Sequence, residues 1–195
     1  MNKMLGFYEL KNSDLPTIPW SEYNDEVSFD TRCLWTVRTA VIEGDDLNLP
    51  RLVGGDALEA KRFATEQYNQ LAKSGMVIYY PYFIAEKSGT LNVYFDKYII
   101  EAVKADLWNL VTYSEREVTI QNVNGKVFVD GNKDFFCADE LNELANYVSK
   151  VRVMFRDYLL EGKSILLEWS YAYNCNSKKE LIGDKYLVFY EVRTV

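Results

Sequence analysis

Residues 138–160, ADELNELANYVSKVRVMFRDYLL, are followed by 164–173, SILLEWSYAY, and 186–195, YLVFYEVRTV. In the first stretch Leu141, Leu144, Ala145, Val148, Val151, Phe155 and Leu159 fall on one helical face, so it reads as one long amphipathic helix. The other two are rich in β-branched and aromatic residues and read as strands joined by a polar loop. Helix–strand–strand, with the strands pairing antiparallel, sets the expectation of an α+β fold.

Working toward the N-terminus, residues 117–130, EVTIQNVNGKVFVD, are two alternating runs around Asn124-Gly125, the strongest short-range hairpin signal. Residues 76–85, 90–95 and 98–103 read as strands, with Lys87-Ser88-Gly89 and Asp96-Lys97 as the turns between them. The pattern over 104–113 decides nothing. Residues 56–73 read as a helix with Asp56 as N-cap and Leu58, Phe63, Tyr68 and Leu71 as its apolar stripe. Residues 43–55 read as a polar loop, 33–42 as a strand, and 1–13 as a short helix ended before Pro16. Most strands neighbour each other in sequence, so mostly antiparallel sheets follow. No internal repeat or low-complexity tract is present.

The chain has 195 residues, 48% hydrophobic and 15% aromatic, which is ample for a packed core. Its formal net charge of −7 argues against a phosphate-backbone binder, so no nucleic-acid partner is expected. No apolar run approaches the ~20 residues of a membrane span, and the N-terminal stretch lacks the apolar core of a signal peptide. Cys33, Cys137 and Cys175 form no metal-ligand spacing, and a sparse odd count suits a reducing, cytoplasmic setting. Cys33 and Cys137 read as small buried residues. The sequence contains no histidine, which excludes Ser-His-Asp and Cys-His chemistry on this chain.

The chemistry must then rest on carboxylates, Lys, Arg, Tyr, Cys or a bound metal. Glu168 stands among apolar neighbours on a strand that should be central. Glu191 and Arg193 are two apart on the next strand, hence on one face. Two converging carboxylates repel unless a cation lies between them, and magnesium, which takes one or two carboxylates plus phosphate oxygens and water, suits the pair. Arg193 could then grip phosphate oxygens in a fork. The plain alternative is an exposed strand face on which Glu191 and Arg193 pair with each other.

The segment LLEW…YLVFYEVRTV resembles the end of the ATP-grasp domain of phosphoenolpyruvate synthases and pyruvate phosphate dikinases, where the pattern is roughly IEW, a gap, then LYxLQxRP. The resemblance puts Glu168 on the family's metal-binding Glu, Arg193 on its Arg, and Glu191 on a position the family fills with Gln. LWTVRTAVIEGDDLNLP resembles VRSSATAEDLP and puts Arg38 on a phosphate-contacting Arg. MNKMLGFYELKNSDLP resembles GGKGANLAELxxxGLP, without its glycines, and puts Lys3 on a triphosphate-contacting Lys. YYPYFIAEKSGTLNVYF resembles the hinge that holds adenine through backbone groups and the SG turn after it, placing Tyr80, Tyr82 and Phe83 at the hinge. YIIEAVKADLWNLVT resembles a glycine-rich stretch whose glycines are replaced here; Glu101 lies in it.

The resemblance implies an ATP-grasp-like fold of two small lobes, 1–75 and 76–195, around a nucleotide cleft that takes ATP and magnesium. It implies phosphate transfer from ATP to a small molecule, or to a separate phosphohistidine-carrying protein, with Arg38 and Arg193 catalytic. Lys3, Arg38, Tyr80, Tyr82, Phe83 and Glu101 would hold the nucleotide, and Glu168 and Glu191 the metal. The lost glycines and absent histidine keep a second class open, a non-catalytic nucleotide-binding or protein-interaction module. Individual alternatives stay open too. Arg38 also reads as an edge-strand cation, Lys3 as a mobile terminal lysine, the aromatic cluster as core, and Glu101 as an outward strand residue. Asp45 and Asp46 read as solvated loop carboxylates or as metal ligands.

Overall fold

The computed structural model describes residues 1–44, 49–71, 73–107, 110 and 115–195. Asp45, Asp46 and most of 104–113 after Leu107 therefore lie outside the described residues. Among those described, the fold is α+β as expected, with two antiparallel sheets. The chain divides into two compact units, one of Met1–Ile84 with Ala172–Tyr186 and one of Ala85–Tyr171 with Leu187–Val195.

In the first unit helix α1 (Lys3–Lys11) is capped by Asn2, whose side chain accepts the Leu5 N–H at 3.0 Å. Strands β1 (Ser21–Glu22), β2 (Trp35–Val41) and β3 (Arg51–Gly55), helix α2 (Ala57–Leu71) and strand β4 (Gly75–Pro81) follow. The sheet order is β1-β4-β2-β3, all antiparallel. β3 falls inside the stretch expected to be loop. Its sequence RLVGG shows no alternation worth reading, and as an edge strand it buries little. β2 is interior, so Arg38 is not the edge-strand cation that was one of its readings.

α2 begins as expected. Asp56 Oδ1 accepts the N–H groups of Leu58 and Glu59, both at 2.9 Å, and Glu59 returns a carboxylate to the Asp56 N–H at 3.0 Å. Its buried face is not the expected one. Ala60, Ala64 and Gln67 face inward while Leu58 is 79% exposed. Alanines at i and i+4 let the helix lie close against Val37 and Val77 of the sheet, with Phe63 and Leu71 packing at the margin.

The second unit is built on a sheet of order β10-β9-β5-β6-β7-β8. The strands of that sheet are β5 (Phe83–Val93), β6 (Lys97–Lys104), β7 (Val118–Val123), β8 (Lys126–Gly131), β9 (Ile165–Cys175) and β10 (Leu181–Thr194), of which Phe83–Ile84, Ala172–Cys175 and Leu181–Tyr186 are counted with the first unit. The expected hairpin is present: Val123 pairs with Lys126, and Asn124 and Gly125 take φ of 50° and 82°, the left-handed pair that a two-residue turn demands. Lys87-Ser88-Gly89 is not a turn but the middle of β5. The glycine marks close packing instead: a Cβ at Gly89 would stand 2.5 Å from the Trp169 ring and 2.1 Å from the Glu101 carbonyl.

The long helix is two, α3 (Ala138–Met154) and α4 (Arg156–Leu160), because Phe155 leaves helical geometry (φ −113°, ψ 27°) and its ring turns into the core. Leu144, Val148 and Val151 are buried as expected. Cys137, expected to be buried, is exposed at the N-cap of α3. Arg152 ties the C-terminal part of α3 to the sheet, donating to the carbonyls of Tyr94 at 3.0 Å and Lys97 at 3.2 Å. No helix among the described residues is long and apolar enough to cross a membrane.

Candidate functional site

The residues singled out from sequence divide between the two units. In the first, Lys3 opens α1. Arg38 lies in the middle of β2, opposite Ile78 and Arg51, and is only 7% exposed. Strand alternation turns it away from the α2 face, and its guanidinium carbon sits 5.3 Å from the centre of the Phe7 ring of α1. Tyr80 is buried near the end of β4 and stacks with Phe83, ring centres 6.5 Å apart. Between them the backbone of Tyr82 is engaged on both sides: its N–H donates to the Leu34 carbonyl at 2.8 Å, and its carbonyl accepts from the Cys175 thiol at 3.7 Å. Burial pushes the Cys175 thiol pKa up, keeping it a neutral donor.

In the second unit the two faces of the sheet differ in chemistry. One carries α3. Trp169 packs over Gly89 there, and the Tyr171 hydroxyl lies 2.6 Å from the Glu140 carbonyl and 2.9 Å from a Glu143 carboxylate oxygen. The opposite face is polar. Ser88 and Ser170 share a hydrogen bond of 2.8 Å across β5 and β9. In the next register row Thr90, Glu101 and Thr119 stand side by side on β5, β6 and β7. Alternation from Ser170 puts Glu168 on this same polar face. Glu101 accepts from Arg116 at 2.7 Å, and Arg193 reaches to 4.0 Å from Glu168. Thr119 Oγ1 and Asn92 Oδ1 are buried there without a hydrogen-bond partner in the protein.

The sequence put Glu168 and Arg193 on paired strands; it gave no sign that Glu101 shares their sheet, and it missed the row of Ser88, Thr90, Asn92, Thr119 and Ser170. The signal was present in KSGTLNV, where polar residues alternate with apolar ones, but reading Ser88-Gly89 as a turn broke the alternation. Glu191 is 3% exposed on β10, the strand next to β9. Ser164 and Val195 exchange both backbone hydrogen bonds at 2.9 Å, closing the antiparallel pair at that end. Among the described residues no group of three or more His, Cys, Asp or Glu side chains could hold a metal ion. A metal here would depend on fewer protein ligands, with phosphate and water completing its shell.

Also missed was a polar cluster on the α3 face. Lys87 Nζ lies 2.6 Å from Glu140 Oε2, which also accepts the Cys137 N–H at 3.1 Å and so completes the α3 cap. The rings of Phe135 and Phe136 flank the ammonium. The Tyr171 pKa is driven far above its usual 10.0, first by burial and then by the hydrogen bond and charge of Glu143.

No protein-family model matches the chain, and no curated protein matches it. Among solved structures it is similar to D-alanine–D-alanine ligase from Bacillus anthracis complexed with ATP, at 12% identity over 98% of this chain and 54% of that one, TM-score 0.46. A second structure of that ligase gives 11% identity over 100% and 56%, TM-score 0.45. The macrocyclase MdnC from Microcystis aeruginosa MRC, bound with precursor peptide MdnA, gives 7% over 97% and 51%, TM-score 0.47. The chain thus spans about half the length of these proteins. Likenesses at TM-scores below 0.5 assign neither family nor activity.

Proposed function

We propose that the chain binds ATP with magnesium on an ATP-grasp-type scaffold, of the kind found in phosphoenolpyruvate synthases and pyruvate phosphate dikinases. The observation that carries this reading is the polar sheet face on which Arg193 stands 4.0 Å from Glu168, in the unit that also carries Glu101. Cation and carboxylate placed so closely, just beyond hydrogen-bond distance, can be bridged by a phosphate oxygen and a hard metal ion. Glu168 and Glu191 would hold magnesium, whose charge offsets that on the phosphates. Arg193 would grip the transferring phosphoryl group. Lys3 and Arg38 would balance phosphate charge, and Tyr80, Tyr82 and Phe83 would contact the base.

In the transfer itself the bond from the γ-phosphorus to the bridging oxygen would break and ADP leave, while a bond forms to an acceptor oxygen or nitrogen whose proton passes to solvent. Positioning and charge stabilisation suffice for such a step, so it needs no histidine on this chain. The acceptor is then a small molecule or a histidine of a separate protein.

A second reading, nucleotide binding without transfer, is favoured by one observation: Arg38, the residue that would act in transfer, is packed over Phe7 at 7% exposure. Incubating the purified chain with ATP, magnesium and a cell extract that supplies acceptors separates the two. ADP formation that disappears in Arg193→Ala supports transfer. ATP binding with no ADP above the extract's background supports the second reading.

A further inference from the structure

We propose that β8 is a self-complementary edge through which two copies of this chain pair, β8 against β8, into one continuous sheet. The inference does not depend on the nucleotide reading. β8 ends its sheet and, among the described residues, is hydrogen-bonded to β7 alone. All six of its residues are exposed, including Val127 at 55%, Phe128 at 57% and Val129 at 38%. The strand contains no proline, and a run of three exposed apolar residues on a sheet edge is what an unpartnered edge normally avoids.

The hydrogen-bond phase of the strand is fixed by the hairpin. The Asn132 N–H donates to the Glu117 carbonyl at 2.7 Å, in line with the register pairs Asp130–Thr119, Phe128–Gln121 and Lys126–Val123. Backbone groups of the even-numbered residues therefore point at β7, and those of Val127, Val129 and Gly131 point out along the edge. An antiparallel partner must meet those outward groups.

A two-fold axis at Phe128 satisfies this condition. Val127 of one copy then faces Val129 of the other, and both pairs exchange their outward backbone hydrogen bonds. Phe128 meets its own copy across the axis. Lys126 faces Asp130, twice, with opposite charges at directly opposed positions. These charged pairs fall at the non-hydrogen-bonded positions, where side chains approach most closely. Centring the axis one hydrogen-bonding position away, at Val127 or Val129, keeps the backbone bonds but sets Lys126 against Phe128 or Asn132. Charge complementarity thus selects one register and one occupant, a second copy of this chain.

Sedimentation velocity of the full chain at about 100 µM tests it. The wild type should sediment as a dimer of the 22.7 kDa chain. Lys126→Asp and Asp130→Lys, both at exposed positions, each turn two attractions into two repulsions and should raise the dissociation constant about tenfold or more. The double variant Lys126→Asp/Asp130→Lys should dimerise again. An equimolar mixture of the two single variants should form a heterodimer, since each Asp then faces a Lys. A monomeric wild type overturns the proposal. So does a dimer that neither single variant weakens, or a loss that neither the double variant nor the mixture restores.

Discussion

Replacing Lys87 with Met removes a cation that pairs with a buried carboxylate. Glu140 is 5% exposed, and its Oε2 is held by Lys87 at 2.6 Å and by the Cys137 N–H at 3.1 Å. Met keeps the stem that packs beside Phe135 and Phe136, so the loss is chiefly of charge. Breaking a buried pair by removing one partner costs about 3–5 kcal/mol. Lys87 keeps 17% of its side chain in contact with solvent, which argues for the lower end, about 3 kcal/mol. For a domain of this size that corresponds to a fall of roughly 6–12 °C in Tm. Glu140→Gln keeps an acceptor for the α3 cap while removing the charge. The double variant Lys87→Met/Glu140→Gln should therefore recover part of the loss, with a coupling of about 2 kcal/mol in a double-mutant cycle. Urea unfolding followed by circular dichroism measures all four corners. A loss below about 0.5 kcal/mol for Lys87→Met, or strict additivity, would refute the view of this pair as a coupled buried interaction.

Tyr171 keeps its proton in the folded state well past pH 10.0, while the unfolded chain loses it near that value. The unfolded state then binds fewer protons, so this group's contribution to stability is complete below pH 10 and falls as pH rises above it, by about 1.4 kcal/mol per unit. Tyr171→Phe should flatten the alkaline limb of the stability–pH curve, whatever it does to stability at neutral pH. Gly89→Ala drives a methyl group into the Glu101 carbonyl and the Trp169 ring, and chemical denaturation should show a loss of about 2 kcal/mol or more. Asp56→Ala removes the acceptor for two N–H groups at the start of α2 and should cost about 1 kcal/mol, read as a lower urea midpoint at unchanged slope.

The parts of the fold legible in the sequence are those where local chemistry and tertiary packing agree. Asn124-Gly125 forced its hairpin, Asp56 capped its helix, and Leu144, Val148 and Val151 faced inward at helical spacing. The misreadings share a cause, in that a residue's local signal was overridden by something distant in the chain. Gly89 looked like a turn but makes room for Trp169, eighty residues on. Leu58 looked like core but faces solvent, because the stripe that docks on the sheet is Ala60, Ala64 and Gln67, and Leu58, two residues before Ala60, lies on the far side of the helix.

The candidate site divides in the same way. Glu168 and Arg193 could be placed on neighbouring strands because both lie in unmistakable β runs. The partners of Glu101 and Glu140 could not be read. Arg116 and Lys87 reach them through strand pairing and helix docking that no spacing in the sequence records.

The central claim is that the chain grips ATP through magnesium held by Glu168 and Glu191. Titration calorimetry with ATP, in the presence and absence of magnesium, tests it most directly. The account predicts binding with magnesium and a loss of affinity of at least about tenfold without it, and the same loss in Glu168→Gln and Glu191→Gln, each to be checked for a cooperative thermal melt beforehand. Absence of binding at millimolar ATP and magnesium, or equal affinity with and without the metal, would contradict it.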